Sequence, residues 1–86
     1  MAKITLYTTN YCGYCRAAKA LLKGKNLPFD EINVEGDDAK REWLVEATGQ
    51  RTVPQIFIDE KSIGGYQELA ELEKNGELDK IIQTIS

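Results

Sequence analysis

Strand-like and helix-like segments alternate along this sequence, and their order restricts the fold more than any other feature. The segments "KITLYTT" and "FDEINV" have the apolar pattern of strands, whereas "RAAKALLKGKN" and "AKREWLVEAT" repeat apolar residues at helical spacing. Only two residues separate "VPQIFID" from "KSI", which predicts a hairpin. The predicted fold is α/β, a four-stranded mixed sheet flanked by helices in the order β-α-β-α-β-β-α.

Capping residues indicate where the helices begin and end. The first helix is predicted from Gly13 to Lys25, and Asp37 or Asp38 is the expected N-cap of the second, which ends at Gly49. Trp43 repeats at helical spacing with two alanines, so we expect it in the core.

The C-terminal segment is predicted to form one helix, a break near Gly76 and a short terminal helix. The apolar positions that indicate the two helices are Leu69, Leu72, Leu78, Ile81, Ile82 and Ile85.

Length, composition and charge exclude several classes of protein. Eighty-six residues suffice for one domain, which we assign to residues 1–86, and 42% hydrophobic with 29% charged residues is ordinary for a soluble protein. Because no secretory leader or membrane-spanning run is evident, we expect a cytoplasmic protein without a membrane partner. A net charge of −3 argues against nucleic acid as a partner.

The only two cysteines, Cys12 and Cys15, lie in "YCGYC" after the first strand. A structural zinc site takes four Cys or His ligands, and this chain has no histidine, so zinc would require a second subunit. A structural disulfide across so short a loop would restrict the unfolded chain little. Two cysteines that merely pack as small apolar residues remain an alternative to a redox pair.

A redox pair fits the spacing best. Residues three apart are neighbours on a helix, which allows a reversible disulfide. The positive end of the first helix would stabilise a thiolate at Cys12, the predicted nucleophile. Cys15, closer to the core, is the predicted resolving thiol and should have the higher pKa. Without histidine, a Cys-His hydrolase is excluded, and thiol exchange remains.

Taken in order, "CGYC", "TVPQIFID" and "GGYQEL" resemble the motifs of a dithiol glutaredoxin of the small bacterial kind, along nearly the whole chain. The resemblance implies a thioredoxin-like fold and glutathione-dependent reduction of protein disulfides and glutathione mixed disulfides by Cys12 and Cys15. It implies glutathione as the reducing co-substrate, proteins with disulfides or glutathionylated thiols as partners, and a monomer.

The resemblance also implies a glutathione site. The proline matching Pro54 is cis in that family, and the backbone of Val53 would pair with the cysteine part of glutathione. The positions carried over from the family are Tyr14, Thr52, Val53, Pro54, Gly65, Gln67 and Glu68.

Three positions that serve glutathione in the family depart from its pattern. Thr9 stands where many members have a lysine and Gln50 where close relatives have an arginine, both of which serve the glycine carboxylate. Arg51 is adjacent and is expected to compensate. Glu68 replaces the more usual aspartate.

Gly13 replaces the proline that most relatives carry between the first cysteine and the tyrosine. Some members without that proline hold a [2Fe-2S] cluster between two subunits, with the first motif cysteine of each and two glutathiones as ligands. The resemblance therefore offers Cys12 as a cluster ligand in a dimer as a second hypothesis. A thioredoxin-like reductant, recharged by a flavin reductase, is a third.

Overall fold

The computed structural model describes residues 3–10 and 12–85, and side chains within these ranges as far as residue 81. The elements are β1 (Ile4–Thr8), α1 (Gly13–Gly24), β2 (Asp30–Asn33), α2 (Asp38–Thr48), β3 (Gln55–Ile58), β4 (Lys61–Gly64), α3 (Tyr66–Lys74) and α4 (Glu77–Ile85). This is the predicted order, including the break between the last two helices.

The four strands form one mixed sheet in the order β2-β1-β3-β4. β1 and β2 are parallel, as expected for strands joined through a helix, and β3 is antiparallel to both β1 and β4. The hairpin turns through two residues, of which Asp59 adopts a positive φ of 56°. The predicted mixed sheet is confirmed.

Helices cover both faces of the sheet, and the alternation of side chains along β1 decides which residue meets which helix. Ile4 and Leu6 point to the face covered by α1, α3 and α4, where they pack with Ala18, Leu22, Ile56, Ile58, Leu69 and Leu78. Tyr7 points to the opposite face, where it packs with Val34, Leu44 and Phe57.

Trp43 does not lie in the core, so the prediction for it was wrong. Its side chain is 44% exposed, with its ring 5.6 Å from that of Tyr7 and 6.0 Å from that of Phe57. Helix α2 alone covers this face and inserts Leu44 rather than the neighbouring Trp43. Helical spacing identified residues that share a face, but it could not show which face is buried.

The predicted helix ends are confirmed to within a residue. Lys25 is the C-cap of α1, and Asp37 is the N-cap of α2, with its side chain accepting the N–H of Lys40 at 3.0 Å. Gly49 and Gly76 have positive φ values of 74° and 75° where α2 and α3 end. The predicted apolar side chains at Ile82 and Ile85 lie outside the described residues.

Lys25 also ties three helices together. Its ammonium lies 3.0 Å from a carboxylate oxygen of Glu73 and 3.1 Å from one of Asp79, and hydrogen bonds to Glu73 and then Asp79 raise the pKa of Lys25. The end of α1 is thereby joined to α3 and α4.

Across the described part of the chain, no helix combines the length and apolar character that crossing a membrane requires.

Candidate active site

Cys12 is the N-cap of α1, and its sulfur takes the place that an oxygen occupies in most helix caps. The Sγ atom accepts the N–H of Cys15 at 3.1 Å, and the Cys12 backbone is extended. The sulfur therefore lies at the positive end of the helix dipole, where negative charge is stabilised. This is the placement that the sequence predicts for a nucleophilic thiol.

The two thiols differ in exposure. Cys15 is only 2% exposed, whereas Cys12 is partly accessible. Burial and a hydrogen bond with the Cys12 side chain raise the pKa of Cys15 to about 12, although a backbone hydrogen bond from Thr9 opposes the shift. Cys15 therefore holds its proton at neutral pH, which agrees with the role of resolving thiol predicted for it.

The raised pKa of Cys15 predicts a loss of stability at high pH. Its ordinary pKa is 9.0 and its value in the folded protein is about 12, so between these values the unfolded chain releases the proton first. The stabilisation is complete below pH 9 and is lost as the pH rises towards 12. Urea unfolding across this range should show a less steep decline for Cys15→Ala than for the wild type.

Tyr7, whose pKa is also raised by burial, should contribute to the alkaline decline equally in both proteins, so the difference between the two curves reports on Cys15. Parallel curves would contradict the assignment.

A groove of about 530 Å³ reaches Val53, whose carbonyl lies 3.5 Å from the Cys12 sulfur. It is lined by all eight residues predicted for glutathione, namely Tyr14, Arg51, Thr52, Val53, Pro54, Gly65, Gln67 and Glu68. The other two lining residues are Gln50, at which this sequence departs from the family pattern, and Tyr66. Residues from α1, from the segment before β3 and from the start of α3 therefore meet at one place.

Tyr66 was missed by the sequence analysis. Its ring stacks on that of Tyr14, with centroids 5.9 Å apart and planes inclined by 28°, while Tyr14 remains 62% exposed. The pair joins α1 to α3 along the wall of the groove. The signal was present, because Tyr66 lies within "GGYQEL", but it only became specific once Tyr14 was known to face it.

Val53 connects the groove to the reactive sulfur. The Cys12 thiol donates to the Val53 carbonyl with a sulfur–oxygen distance of 3.5 Å, and the Val53–Pro54 peptide bond is cis as the resemblance implied. Pro54 itself is buried. A ligand lying along Val53 would therefore reach the Cys12 sulfur.

The N-terminus of α3 is capped by a side chain of the same helix. The Gly65 N–H donates to Oε1 of Glu68 at 3.2 Å. Gly64 has a φ of +117°, and a Cβ atom built there would lie 2.7 Å from the same oxygen. The glycine pair thus admits the Glu68 carboxylate to the helix terminus at the edge of the groove.

A partly exposed thiol at a helix N-terminus, a buried thiol one turn later and a facing cis-proline segment define a dithiol oxidoreductase with a thioredoxin-like fold. Comparison with known proteins identifies the family within this class. The Glutaredoxin family model matches residues 4–63. Glutaredoxin 3 of Escherichia coli K12 is 45% identical over 83 residues, which cover 96% of this chain and 100% of that protein.

Solved structures agree with the sequence matches. A buckwheat glutaredoxin–glutathione complex superposes with a TM-score of 0.90 at 34% identity, covering 96% of this chain and 78% of the other. The holo form of glutaredoxin C1 from Populus tremula x tremuloides gives 0.89 at 29% identity, covering 96% and 85%. The chain belongs to the glutaredoxin family and is a thiol–disulfide oxidoreductase.

Proposed function

We propose that this protein uses glutathione to reduce glutathione mixed disulfides and protein disulfides, with Cys12 as the nucleophile and Cys15 as the resolving thiol. The observation that carries the proposal is the groove beside Cys12, which holds all eight residues expected for glutathione. Glutathione is the ligand of the similar buckwheat protein.

Reduction of a glutathione mixed disulfide requires only Cys12. Its thiolate attacks the glutathione sulfur, a disulfide forms between Cys12 and glutathione, and the substrate leaves as a thiolate that takes up a proton. A second glutathione thiolate then attacks the bound glutathione sulfur. Glutathione disulfide leaves and the Cys12 thiolate is restored. One free glutathione is therefore consumed per turnover, and the substrate's own glutathionyl group forms the other half of the glutathione disulfide.

Reduction of a protein disulfide also requires Cys15. Cys12 attacks one substrate sulfur, and Cys15, after losing its proton to solvent, attacks the Cys12 sulfur of the mixed disulfide. The reduced substrate leaves, and the Cys12–Cys15 disulfide is reduced by two glutathiones. The N-cap hydrogen bond between the Cys15 N–H and the Cys12 sulfur keeps the two residues close enough for this step.

Within the groove, we assign the glutathione backbone to Val53 and the γ-glutamyl end to the start of α3 at Gly65, Gln67 and Glu68. Arg51, which is exposed at the edge of the groove, replaces the cationic groups absent at Thr9 and Gln50. A carboxylate and a guanidinium form strong paired hydrogen bonds, so one arginine suffices for the glycine carboxylate.

The test is turnover of a small glutathione mixed disulfide with glutathione reductase recycling the glutathione. We expect turnover in this assay and none when a flavin thioredoxin reductase with NADPH replaces glutathione and its reductase. The opposite result would identify the protein as a thioredoxin-like reductant.

We further propose that the protein is cytoplasmic and monomeric and acts through a single domain, residues 1–86. We propose that its partners include neither nucleic acid nor membrane.

A [2Fe-2S] dimer is the second candidate function. Such a cluster needs four thiolates, and the described part of one chain offers a single accessible thiol, Cys12, because Cys15 is buried. One chain therefore does not fit the cluster, whereas two chains with two glutathiones do. Gly13 favours this arrangement, because no atom outside its chain neighbours and the helix backbone lies within 4 Å of the place of its missing Cβ. The space around Gly13, the residue after Cys12, is therefore open.

Anaerobic reconstitution with iron, sulfide and glutathione should yield a coloured dimer for the wild type. Gly13→Pro should remain a colourless monomer, because the proline ring fills the open space and removes an N–H beside Cys12. The variant should fold, since Gly13 is the first helical residue and the extended Cys12 backbone is compatible with a following proline. A colourless wild-type monomer would rule out the cluster.

A further inference from the structure

Gln55 is a buried polar residue directly beneath the segment that carries Arg51, Thr52 and Val53. Its side chain is completely buried at the start of β3, opposite Tyr7 of β1. We propose that Gln55 is a positioning residue for the exchange reaction, which holds the 50–53 segment in the form that receives glutathione. This inference rests on the proposed function.

All the hydrogen-bond donors of the Gln55 amide are used on that segment. Nε2 donates to the Thr52 carbonyl at 2.8 Å, to the Thr52 hydroxyl at 3.3 Å and to the Gln50 side-chain carbonyl at 3.1 Å. An amide nitrogen has only two hydrogens, so one of them is shared. Gln55 thus binds the segment at two residues on either side of Arg51.

We expect these contacts to contribute little to the free energy of folding. Gln50 and Thr52 are exposed, so water can replace the amide at their oxygens. The Oε1 atom of Gln55 is buried without a hydrogen-bond partner among the described residues, which is unfavourable for folding. An apolar residue of the same length would avoid that cost. We therefore infer that the Gln55 amide serves to hold the 50–53 segment in one conformation rather than to stabilise the fold.

A fixed conformation of the 50–53 segment affects two contacts of the site. The Val53 carbonyl, which follows the anchored Thr52, accepts the Cys12 thiol at 3.5 Å. The side-chain carbonyl of Gln50 accepts a hydrogen bond from Gln55, so the Gln50 side-chain amide offers a ligand mainly its N–H donors. Gln55 therefore prepares both the contact next to the nucleophile and a neutral donor beside Arg51 for a ligand carboxylate.

The test compares Gln55→Met with the wild type in the mixed-disulfide assay. Loss of the preformed segment should raise KM for the glutathione mixed disulfide about tenfold and change kcat less than about twofold. The melting temperature should stay within about 3 °C of the wild-type value, because the buried orphan acceptor is removed together with the hydrogen bonds. Backbone order parameters from NMR should fall at residues 51–53.

Ile56→Val is the matched control, since Ile56 is buried in the neighbouring position but faces α1 and α3. It should lower the melting temperature by about 5 °C and leave KM and the order parameters unchanged. Gln55→Leu, which removes the donors without burying a charge, is the second variant if Gln55→Met does not fold.

The proposal is overturned if either KM or the order parameters of residues 51–53 stay at wild-type values in the folded variant. Failure of the proposed function looks different, because the wild type itself would then not turn over the mixed disulfide. In that case the order parameters alone decide whether Gln55 positions the segment.

Discussion

Replacing Cys12 by serine should reduce turnover of a glutathione mixed disulfide by on the order of 10³-fold or more, because no other accessible thiolate can attack the substrate. Cys12 is partly exposed and its thiol donates to Val53 of the groove, while Cys15 is buried and protonated at neutral pH with a pKa of about 12. The coupled glutathione reductase assay measures this directly.

Cys15→Ser is the matched control for that experiment, since it makes the same chemical change one helical turn away. It should keep the rate of mixed-disulfide turnover within about tenfold, because a second glutathione can complete the exchange. Reduction of a protein disulfide should fall far more in the same variant. Equal losses of mixed-disulfide turnover in the two variants would contradict the assignment of roles.

Gly64→Ala should lower the free energy of unfolding by about 2–4 kcal/mol, from a strained backbone and a lost helix cap. The φ of Gly64 is +117°, and the new methyl group would lie 2.7 Å from Oε1 and 2.9 Å from Cγ of Glu68. The Glu68 side chain must then leave the Gly65 N–H. Because Glu68 lines the groove, KM for the mixed disulfide should rise as well. Urea unfolding and steady-state kinetics measure the two effects.

Gly24→Ala is the control for Gly64→Ala. Gly24 ends α1, and no atom outside its chain neighbours and the helix backbone lies within 4 Å of the place of its missing Cβ. This substitution should stabilise the protein slightly, by about 0.5 kcal/mol, through reduced freedom of the unfolded chain. A Gly64→Ala variant as stable as Gly24→Ala would show that the close approach of Glu68 is not required.

The fold could be predicted from the sequence because its signals are local. Alternation along β1 placed Ile4 and Leu6 on one face and Tyr7 on the other, and Asp37 and Gly49 gave the ends of α2. The position of Trp43 could not be predicted in this way. Whether a helical face is buried depends on what packs against it, and that is a property of the whole sheet.

The residues of the site could be predicted from the sequence, but the contacts between them could not. The sequence predicted both cysteines and eight of the ten residues that line the groove, which come from three separate segments. They did not supply the stacking of Tyr14 on Tyr66 or the capping of Gly65 by Glu68. The role proposed for Gln55 could not be predicted from the sequence, because it depends on side-chain contacts with residues that precede the strand.

The most direct test of the central claim is to trap the intermediate. Cys15→Ser, which retains one cysteine, is incubated with glutathione disulfide and examined by mass spectrometry. The mechanism predicts one glutathionyl group per chain, bound to Cys12 and removed by added glutathione. A chain that stays unmodified, while the wild type reduces the mixed disulfide, would show that Cys12 is not the nucleophile.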